Sequence, residues 1–352
     1  MSRPSIAAAT SRSAKRMALI AVAAVVVVFL VLKAVEDLRQ FATVTLSGLT
    51  LAALYFVVAS GFTLIFGLMR VVNMAHGSLY LLGGYLALEV QSRWFREEKG
   101  LGISLSGNAG VEYGLLGWLV PLVVATLVIG FLGVAFQQVF LRRNQGQDLR
   151  QALITIALSV IIADQMLAAF GGVSQEIAVP SWWPTSITLP GEVRFGFFRG
   201  VVVIGAALLI GLALWLIIKR TRFGKIVRAG VDDRDMVSAL GINVNLVFVG
   251  AFFLGAALAG FGGVLGGTMI SLAPGHDAAF LLNSLIVVII GGMGSLGGAA
   301  IGALALGLVD SYADVYLVFG GTDLTNYSVI VTFALLVGVL AVRPLGIFGR
   351  PA

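Results

Sequence analysis

The sequence predicts an all-α integral membrane protein, a polytopic helical bundle of about nine or ten transmembrane helices. Three observations predict it. Hydrophobic residues make up 59% of the chain and charged residues only 11%, against roughly 25% charged in ordinary soluble domains. Several apolar runs reach the roughly 20 residues needed to cross about 30 Å of hydrocarbon as a helix. Basic residues gather in the short connections between these runs, as they do where positive charge sets membrane orientation.

Taken in order, the chain opens with Arg3, Arg12, Lys15 and Arg16 and no acid, followed by an apolar run from Met17 to Leu32. A cleaved signal peptide has this form. No small-x-small cleavage site precedes Lys33, which favours an uncleaved first span with its N-terminus inside. Further spans are expected over 42–68, 71–90, 114–140, 151–170, 198–218 and 246–273. Residues 281–319 form a long apolar stretch interrupted by Gly291 to Gly298, and a last span covers 326–342. The basic connections are the N-terminus, Arg142 with Arg143 and Arg150, the run from Lys219 to Arg234, and Arg343 with Arg350. They hold most of the 23 lysines and arginines. All fall on one side if 281–319 crosses twice. The acidic segment with Asp310, Asp314 and Asp323 then lies outside, and both termini lie inside. A re-entrant loop in place of one crossing changes the count by one.

Residues 171–197 form the longest polar connection expected on the outer face, with Pro180, Trp182, Trp183, Pro184 and Pro190. Tryptophans suit the headgroup interface, so this connection reads as an interfacial anchor or as a docking surface for an extracytoplasmic partner. The 45 glycines lie inside apolar runs rather than in linkers. Gly262 with Gly266, Gly263 with Gly267, Gly298 with Gly302, and Ala303 with Gly307 have small-xxx-small spacing. Such spacing lets helix backbones approach closely, in a tight bundle or at a subunit interface.

Gly292-Met293-Gly294-Ser295-Leu296-Gly297 matches the dinucleotide-binding pattern G-x-G-x-x-G, but that fingerprint needs a βαβ unit, and no other part of the chain supplies one. Glycines here indicate a broken helix, tolerated where exposed backbone lines a cavity or packs against protein. A second break is expected at Arg70-Val71-Val72-Asn73-Met74-Ala75-His76-Gly77. Arg70, Asn73 and His76 are costly in hydrocarbon, so they face a cavity, a partner or the membrane boundary. One interruption in each half of the chain suits a translocation pathway between two repeats; a short loop between spans explains the first equally well. Asp164 lies inside an expected span, as a proton-coupling carboxylate or as an acid paired to a neighbouring helix.

The connection Lys219 to Asn245 begins strongly basic. Asp232, Asp233 and Asp235 then suit a helix N-terminus and Gly241 its end. The result is a short amphipathic helix, either a solvated stretch or a docking helix for a cytoplasmic partner. The chain has no cysteine, no organised metal-ligand set around its two histidines, His76 and His276, and no Ser/His/Asp or paired-carboxylate arrangement. It has no G-x-x-x-x-G-K-[ST] either, so it carries no Walker-type ATP site of its own. No nucleic-acid signature is present, and no cofactor is expected in this chain.

Ordered blocks carry a resemblance from about residue 42 to the end. Gly48-Leu49-Thr50-Leu51, Gly61-Phe62-Thr63-Leu64-Ile65-Phe66-Gly67 and Asn73-Met74-Ala75-His76-Gly77 come first. Ser238-Ala239-Leu240-Gly241-Ile242-Asn243, Gly255-Ala256-Ala257-Leu258-Ala259-Gly260, Gly291-Gly292-Met293-Gly294-Ser295 and Arg343-Pro344-Leu345-Gly346-Ile347-Phe348-Gly349-Arg350 follow. The chain resembles the branched-chain amino acid ABC transporter permeases of the LivH type. Residues 1–40 depart from the pattern as an extension with an added span, leaving 41–350 as the permease domain.

The resemblance implies a bacterial inner-membrane subunit paired with a second homologous permease or with itself. Two cytoplasmic ATPase subunits drive it, and a periplasmic solute-binding protein delivers solute. ATP hydrolysis then belongs to partner chains, and this chain supplies alternating access. Arg228, Asp232, Asp235, Ser238, Ala239, Leu240 and Gly241 would couple to the ATPase. Asn73, His76, Gly77, Gly291, Gly292, Gly294 and Ser295 would line the pathway. Branched-chain and other amino acids are the implied solutes, with urea, short amides and organic acids handled by relatives. An ion-coupled secondary transporter is the rival reading and would need a coupling-ion site such as Asp164. A passive channel would need no docking helix, and a membrane-embedded enzyme would need a catalytic cluster that the sequence does not offer.

Overall fold

The computed structural model describes residues 28–69, 72–95, 114–232, 234–241, 243–319 and 322–349. The basic N-terminus, most of the first expected span, Arg70, Asp233, Ile242 and Arg350 lie outside the described residues. Residues 28–36 form helix α1. The helices that follow are α2 (Leu38–Met69), α3 (His76–Trp94), α4 (Leu116–Phe136), α5 (Asp148–Phe170), α6 (Ile204–Arg220), α7 (Arg222–Asp232), α8 (Arg234–Ala239), α9 (Val244–Met269), α10 (His276–Gly291), α11 (Leu296–Tyr316) and α12 (Ser328–Val342). Two antiparallel hairpins interrupt them, β1 (Ser186–Leu189) with β2 (Val193–Gly196) and β3 (Val318–Phe319) with β4 (Thr322–Asp323).

Among the described residues, six segments are long and apolar enough to cross a membrane: Leu38–Gly67, Leu116–Asn144, Asp148–Phe170, Phe198–Arg220, Val244–Met269 and Leu296–Tyr316. Helices α10 and α12 are shorter and also apolar. The surface they present identifies the solvent. On α5 only Gln151, Thr155 and Met166 are buried, and on α6 only Ala207 and Leu214. Leu153, Val160 and Ile161 of α5 and Leu208, Leu209 and Leu212 of α6 point outward and are more than half exposed. A water-soluble monomer rarely exposes apolar surface on this scale, whereas hydrocarbon is a good solvent for it. The chain is a polytopic helical membrane protein.

The centre is built differently. Helices α2, α3, α9, α10 and α11 meet there through small residues. A methyl group on Gly61 would overlap the Gly255 carbonyl, one on Gly83 would overlap Gly260, and one on Gly263 would overlap the Tyr80 carbonyl. The small-residue pairs expected from the sequence serve this packing within the chain. Gly298 and Gly302 face α10, and Gly307 faces Ala52 of α2. Lipid exerts no hydrophobic force between helices, so close backbone contact supplies the attraction. Helix α3 is the least lipid-like of the set, with thirteen buried residues including His76, Ser78 and Gln91. Surrounded by protein, it can afford polar side chains.

One end of the bundle gathers basic residues: Arg142, Arg143 and Arg150 of the α4–α5 connection, Lys219 and Arg220 at the end of α6, and Arg343. Leu141 packs there against Ile65 and Met69 of α2. The polar segment 171–197 covers the opposite end. It is pinned by Gln175 N–H to Leu272 O (2.9 Å), by the return bond from Leu272 N–H (2.7 Å), and by Ile177 N–H to Gly267 O (3.1 Å). The two tryptophans divide their roles. Trp183 packs on Trp118 and Phe198, while Trp182 is 64% exposed. An exposed ion pair, Arg39 to Glu192 at 2.8 Å, ties β2's turn to the start of α2. Exposed pairs contribute at most about 1 kcal/mol, so the backbone bonds hold this segment.

Three expectations need correction. The span expected from residue 71 begins at His76. Asp310 and Asp314 lie on α11, not in the connection beyond it, because the helix continues to Tyr316. The basic run expected to precede a short helix is itself helical. As α7 it buries Val227 and packs Phe223 and Ile226 against α2 and α9, so helix is already present from Arg222, ten residues before Asp232.

Candidate functional site

The first break is built around Asn73. Its Oδ1 accepts the Ala75 N–H at 3.1 Å and its backbone carbonyl accepts the His76 N–H at 3.2 Å, which starts α3. The Met74 N–H donates to Thr155 Oγ1 of α5 at 3.2 Å. His76 Nε2 lies 2.9 Å from the Val58 carbonyl, and Phe62 meets the ring edge-on. A carbonyl can only accept, so Nε2 carries the proton and Nδ1 is left as an acceptor. Val58 lies eleven residues before the end of α2, or about 16 Å along its axis at 1.5 Å per residue. The chain therefore re-enters the bundle before α3 begins, and the N-terminus of α3 is buried.

Helix α10 begins at the same place. A methyl group on Gly77 would overlap the Asp277 carbonyl oxygen. Ser78 Oγ lies 2.7 Å from Ser159 Oγ and 3.4 Å from Asp277 Oδ2. Asn73, His76, Ser78 and Asp277 are all buried, and neither Asn73 Nδ2 nor His76 Nδ1 has a partner among the described residues.

The second break lies elsewhere. Gly292 and Gly294 have φ of +97° and +81°, a backbone that L side chains resist, and Ser295 Oγ caps α11 by accepting the Gly298 N–H at 3.0 Å. A Cβ on Gly67 would lie 2.9 Å from Gly294 Cα, so this tip rests on the last turns of α2. The C-terminal segment closes over it. Ile347 N–H donates to Ile290 O at 2.8 Å and Phe348 N–H to Gly291 O at 3.0 Å, which satisfies carbonyls that the end of α10 would otherwise leave unpaired. The sequence-identified residues thus form two groups. Asn73, His76 and Gly77 meet α5 and the start of α10. Gly291, Gly292, Gly294 and Ser295 meet the end of α2 and residues 343–349.

The coupling candidates sit at the basic end. Val227 and Val237 bury against Leu64, Val244 and Val247, with Met69 alongside. Arg228, Ala239, Leu240 and Gly241 are exposed, Leu240 at 71%. Asp232, Asp235 and Ser238 lie on α7 and α8. Both this layer and the α10–α11 tip therefore bear on α2 between Leu64 and Met69, just before the first break.

Sequence reasoning missed two features. One is Asp277, beside His276. The other is a network in which Asn283 Nδ2 donates to Tyr55 Oη (2.9 Å), Tyr55 Oη donates to Asp310 Oδ2 (3.0 Å), and Thr332 Oγ1 donates to Asp310 Oδ1. An acid inside the apolar run of α11 was its signal. Asp164, expected to pair with a neighbouring helix, is exposed on α5 and makes no ion pair or side-chain hydrogen bond among the described residues.

Comparison with known proteins decides the family. The model of the branched-chain amino acid transport system / permease component family matches residues 44–340. The chain belongs to this family. Among its relatives is the high-affinity branched-chain amino acid transport system permease protein BraD of Pseudomonas aeruginosa, 31% identical over 87% of this chain and 94% of that one. LivH of Escherichia coli is 29% identical over 90% and 98% of the two chains, and a probable LivH of Methanocaldococcus jannaschii is 24% identical over 83% and 87%. The chain is accordingly a transport permease subunit.

In this permease the C-terminal strap depends on Gly346, whose φ is +79° and whose added Cβ would press on the Ile289 carbonyl and on Gly292. Gly346→Ala is expected to cost about 1–3 kcal/mol through strain and overlap. Hydrogen exchange at the Ile347 and Phe348 amides should rise sharply in the variant. Unchanged protection there would mean the strap accommodates a side chain.

Proposed function

We propose that this permease is the membrane-spanning subunit of an ATP-driven importer in a bacterial inner membrane, moving branched-chain or related amino acids by alternating access. Its basic end faces the cytoplasm with both termini, as positive charge directs. Residues 1–40 add a span to a permease domain of 41–350. Two ATPase subunits dock on Arg228, Asp232, Asp235, Ser238, Ala239, Leu240 and Gly241. A second permease, homologous or identical, completes the membrane part, and a periplasmic binding protein delivers solute to segment 171–197. Asn73, His76 and Gly77, with Gly291, Gly292, Gly294 and Ser295, line or control the path. Urea, short amides and organic acids are the alternative cargoes.

The observation that carries this reading is the anchored, outward-facing α7–α8 layer. Leu240, in the turn just after α8, is exposed while Val237 is buried, and an exposed apolar group beside an anchored helix suits a protein partner. The layer packs on Leu64 and Met69 of α2, and the Val58 carbonyl of the same helix meets His76 at the start of α3, so a push on the layer reaches α3 along α2.

A tagged chain purified in gentle detergent should bring down its ATPase subunits, and Leu240→Asp should reduce that recovery by about tenfold, a loss of roughly 1.4 kcal/mol of binding. Stable purification without any ATPase, together with uptake that follows an ion gradient, would instead support the ion-coupled transporter.

A further inference from the structure

A charged surface of another kind lies at the corner between α6 and α7. Leu208, Leu212, Trp215 and Lys219 are spaced four, three and four residues apart, which sets them on one face of α6, and all four are exposed. Leu209, Leu216 and Arg220 form a second exposed stripe beside it. Both stripes begin as lipid-facing leucine and end in a cation, so Lys219 and Arg220 stand where hydrocarbon gives way to headgroups. Trp215 marks the same level, because an indole suits that boundary. Lys219 Nζ lies 5.3 Å from the centre of its ring, with the apolar stem of the lysine left to the lipid.

The corner is fixed by local bonds. Thr221 Oγ1 donates to Ile217 O at 2.6 Å and accepts the Gly224 N–H at 3.1 Å. A methyl group on Gly224 would overlap the Ile217 and Ile218 carbonyl oxygens, so the first turn of α7 packs directly on the last turn of α6. Arg222 and Lys225 are therefore held close to Lys219 and Arg220, and they are exposed while Gly224 and Val227 are buried. Among the described residues no carboxylate lies within ion-pair distance of these four cations. Like charges within seven residues repel one another, and the leucines above them offer no counter-charge. A cytoplasmic protein could reach α7, but it could not cover cations that continue a lipid-facing stripe.

We propose that Lys219, Arg220, Arg222 and Lys225, with Trp215, form a binding surface for the anionic phospholipid headgroups of the adjacent leaflet. Phosphate oxygens accept from the cations, and the acyl chains lie along the leucines of the two stripes. Each cation near an anionic surface is worth about fivefold in affinity. The surface needs only that α6 crosses the bilayer, and so goes beyond the importer reading. It also differs from the rule that places basic loops inside, which acts as a chain inserts, because here the folded protein gathers anionic lipid at one place.

The test uses the permease copurified with its ATPase subunits and placed in lipid nanodiscs. The discs carry a trace of phosphatidylglycerol or of phosphatidylcholine with a diazirine on one acyl chain, and crosslinks are mapped by peptide mass spectrometry. On residues 208–220 phosphatidylglycerol should label at least about fivefold more than phosphatidylcholine at equal mole fraction. At Leu119 and Val123, exposed at the start of α4 and at the other end of the bundle, the two lipids should label equally. Lys219→Gln with Arg220→Gln and Arg222→Gln should bring the ratio on α6 down to that on α4. Copurified ATPase reports assembly of the variant. Should the variant fail to assemble, salt decides on the wild type, whose ratio should collapse at about 1 M, where the Debye length is about 3 Å. Inorganic phosphate added at constant ionic strength should leave the ratio unchanged. The surface is overturned if α6 shows no preference, if α4 shows the same preference, or if the preference survives in the assembled variant or in high salt. It is also overturned if inorganic phosphate abolishes the preference, for the cations then hold a soluble anion.

Discussion

Gly263→Leu is expected to yield no monodisperse permease in detergent, and Gly263→Ala to lower the unfolding temperature markedly. The reason is the identity of the neighbour. A Cβ at Gly263 would overlap the Tyr80 carbonyl oxygen and lie 3.0 Å from the Gly84 nitrogen, both backbone atoms of α3. One turn away, Gly260 and Gly83 meet backbone to backbone. A side-chain neighbour can change rotamer, but a helix backbone can only move as a whole. Overpacking a soluble core costs about 1–3 kcal/mol, occasionally more, and here no flexible atom can give way, so the upper part of that range applies even to alanine. Moving α3 also shifts the buried groups at its start, so the damage reaches the pathway. Gly338→Ala is the control. It lies on α12 with nothing within 4 Å of an added Cβ, and alanine there gains helix propensity of up to about 1 kcal/mol. Thermal unfolding of the two alanine variants should therefore move in opposite directions. Equal shifts would show that the α3–α9 contact is looser than its geometry.

How far the sequence disclosed this arrangement follows from what each element faces. Helices α2, α4, α5, α6, α9 and α12 are read from run length because lipid or close-packed small residues surround them and apolar side chains suit both. Helix α3 was read as a span, but its start was misplaced, since Val71 and Val72 look like a helix beginning. Only the bond from His76 to Val58 places the start inside the bundle. The glycines at 292 and 294 announced the second break, as positive φ demands glycine there. Helix α7 was read as a basic connection, because Phe223, Ile226 and Val227 do not stand out among Arg222, Lys225 and Arg228. Asn73 and His76 were visible as polar residues in an apolar setting. Their neighbour Asp277 was not, for an acid beside a span boundary looks like part of a loop, and the contact joining it to Gly77 spans two hundred residues of chain.

Asp310→Ala is expected to destabilise the permease by about 2–3 kcal/mol, and Thr332→Val to loosen α12 alone. Asp310 accepts from Tyr55 and Thr332, and Asn283 supports Tyr55, so one carboxylate joins α2, α10, α11 and α12. Hydrogen bonds to charged groups contribute about 1.5–3 kcal/mol in soluble proteins. Between membrane helices they average only about 0.6 and reach about 1.7 kcal/mol, because the unfolded chain in lipid also finds partners. Two such bonds near the upper membrane value give the figure. Removing the acid also leaves two hydroxyls buried without an acceptor. A Tyr55→Phe, Asp310→Ala double-mutant cycle should return a coupling of about 1–2 kcal/mol. Helix α12 is the element most exposed to this loss, because Thr332 is its only buried residue. Leu335, Leu336 and Val339 are half-buried against the core, and in lipid such contacts resist displacement weakly, since a lipid chain can take the place of either partner. Hydrogen exchange over residues 328–342 should therefore quicken in Thr332→Val while α2 and α9 keep their protection. If α12 exchanges as slowly as in the wild type, shape packing holds it and the carboxylate serves the inner three helices.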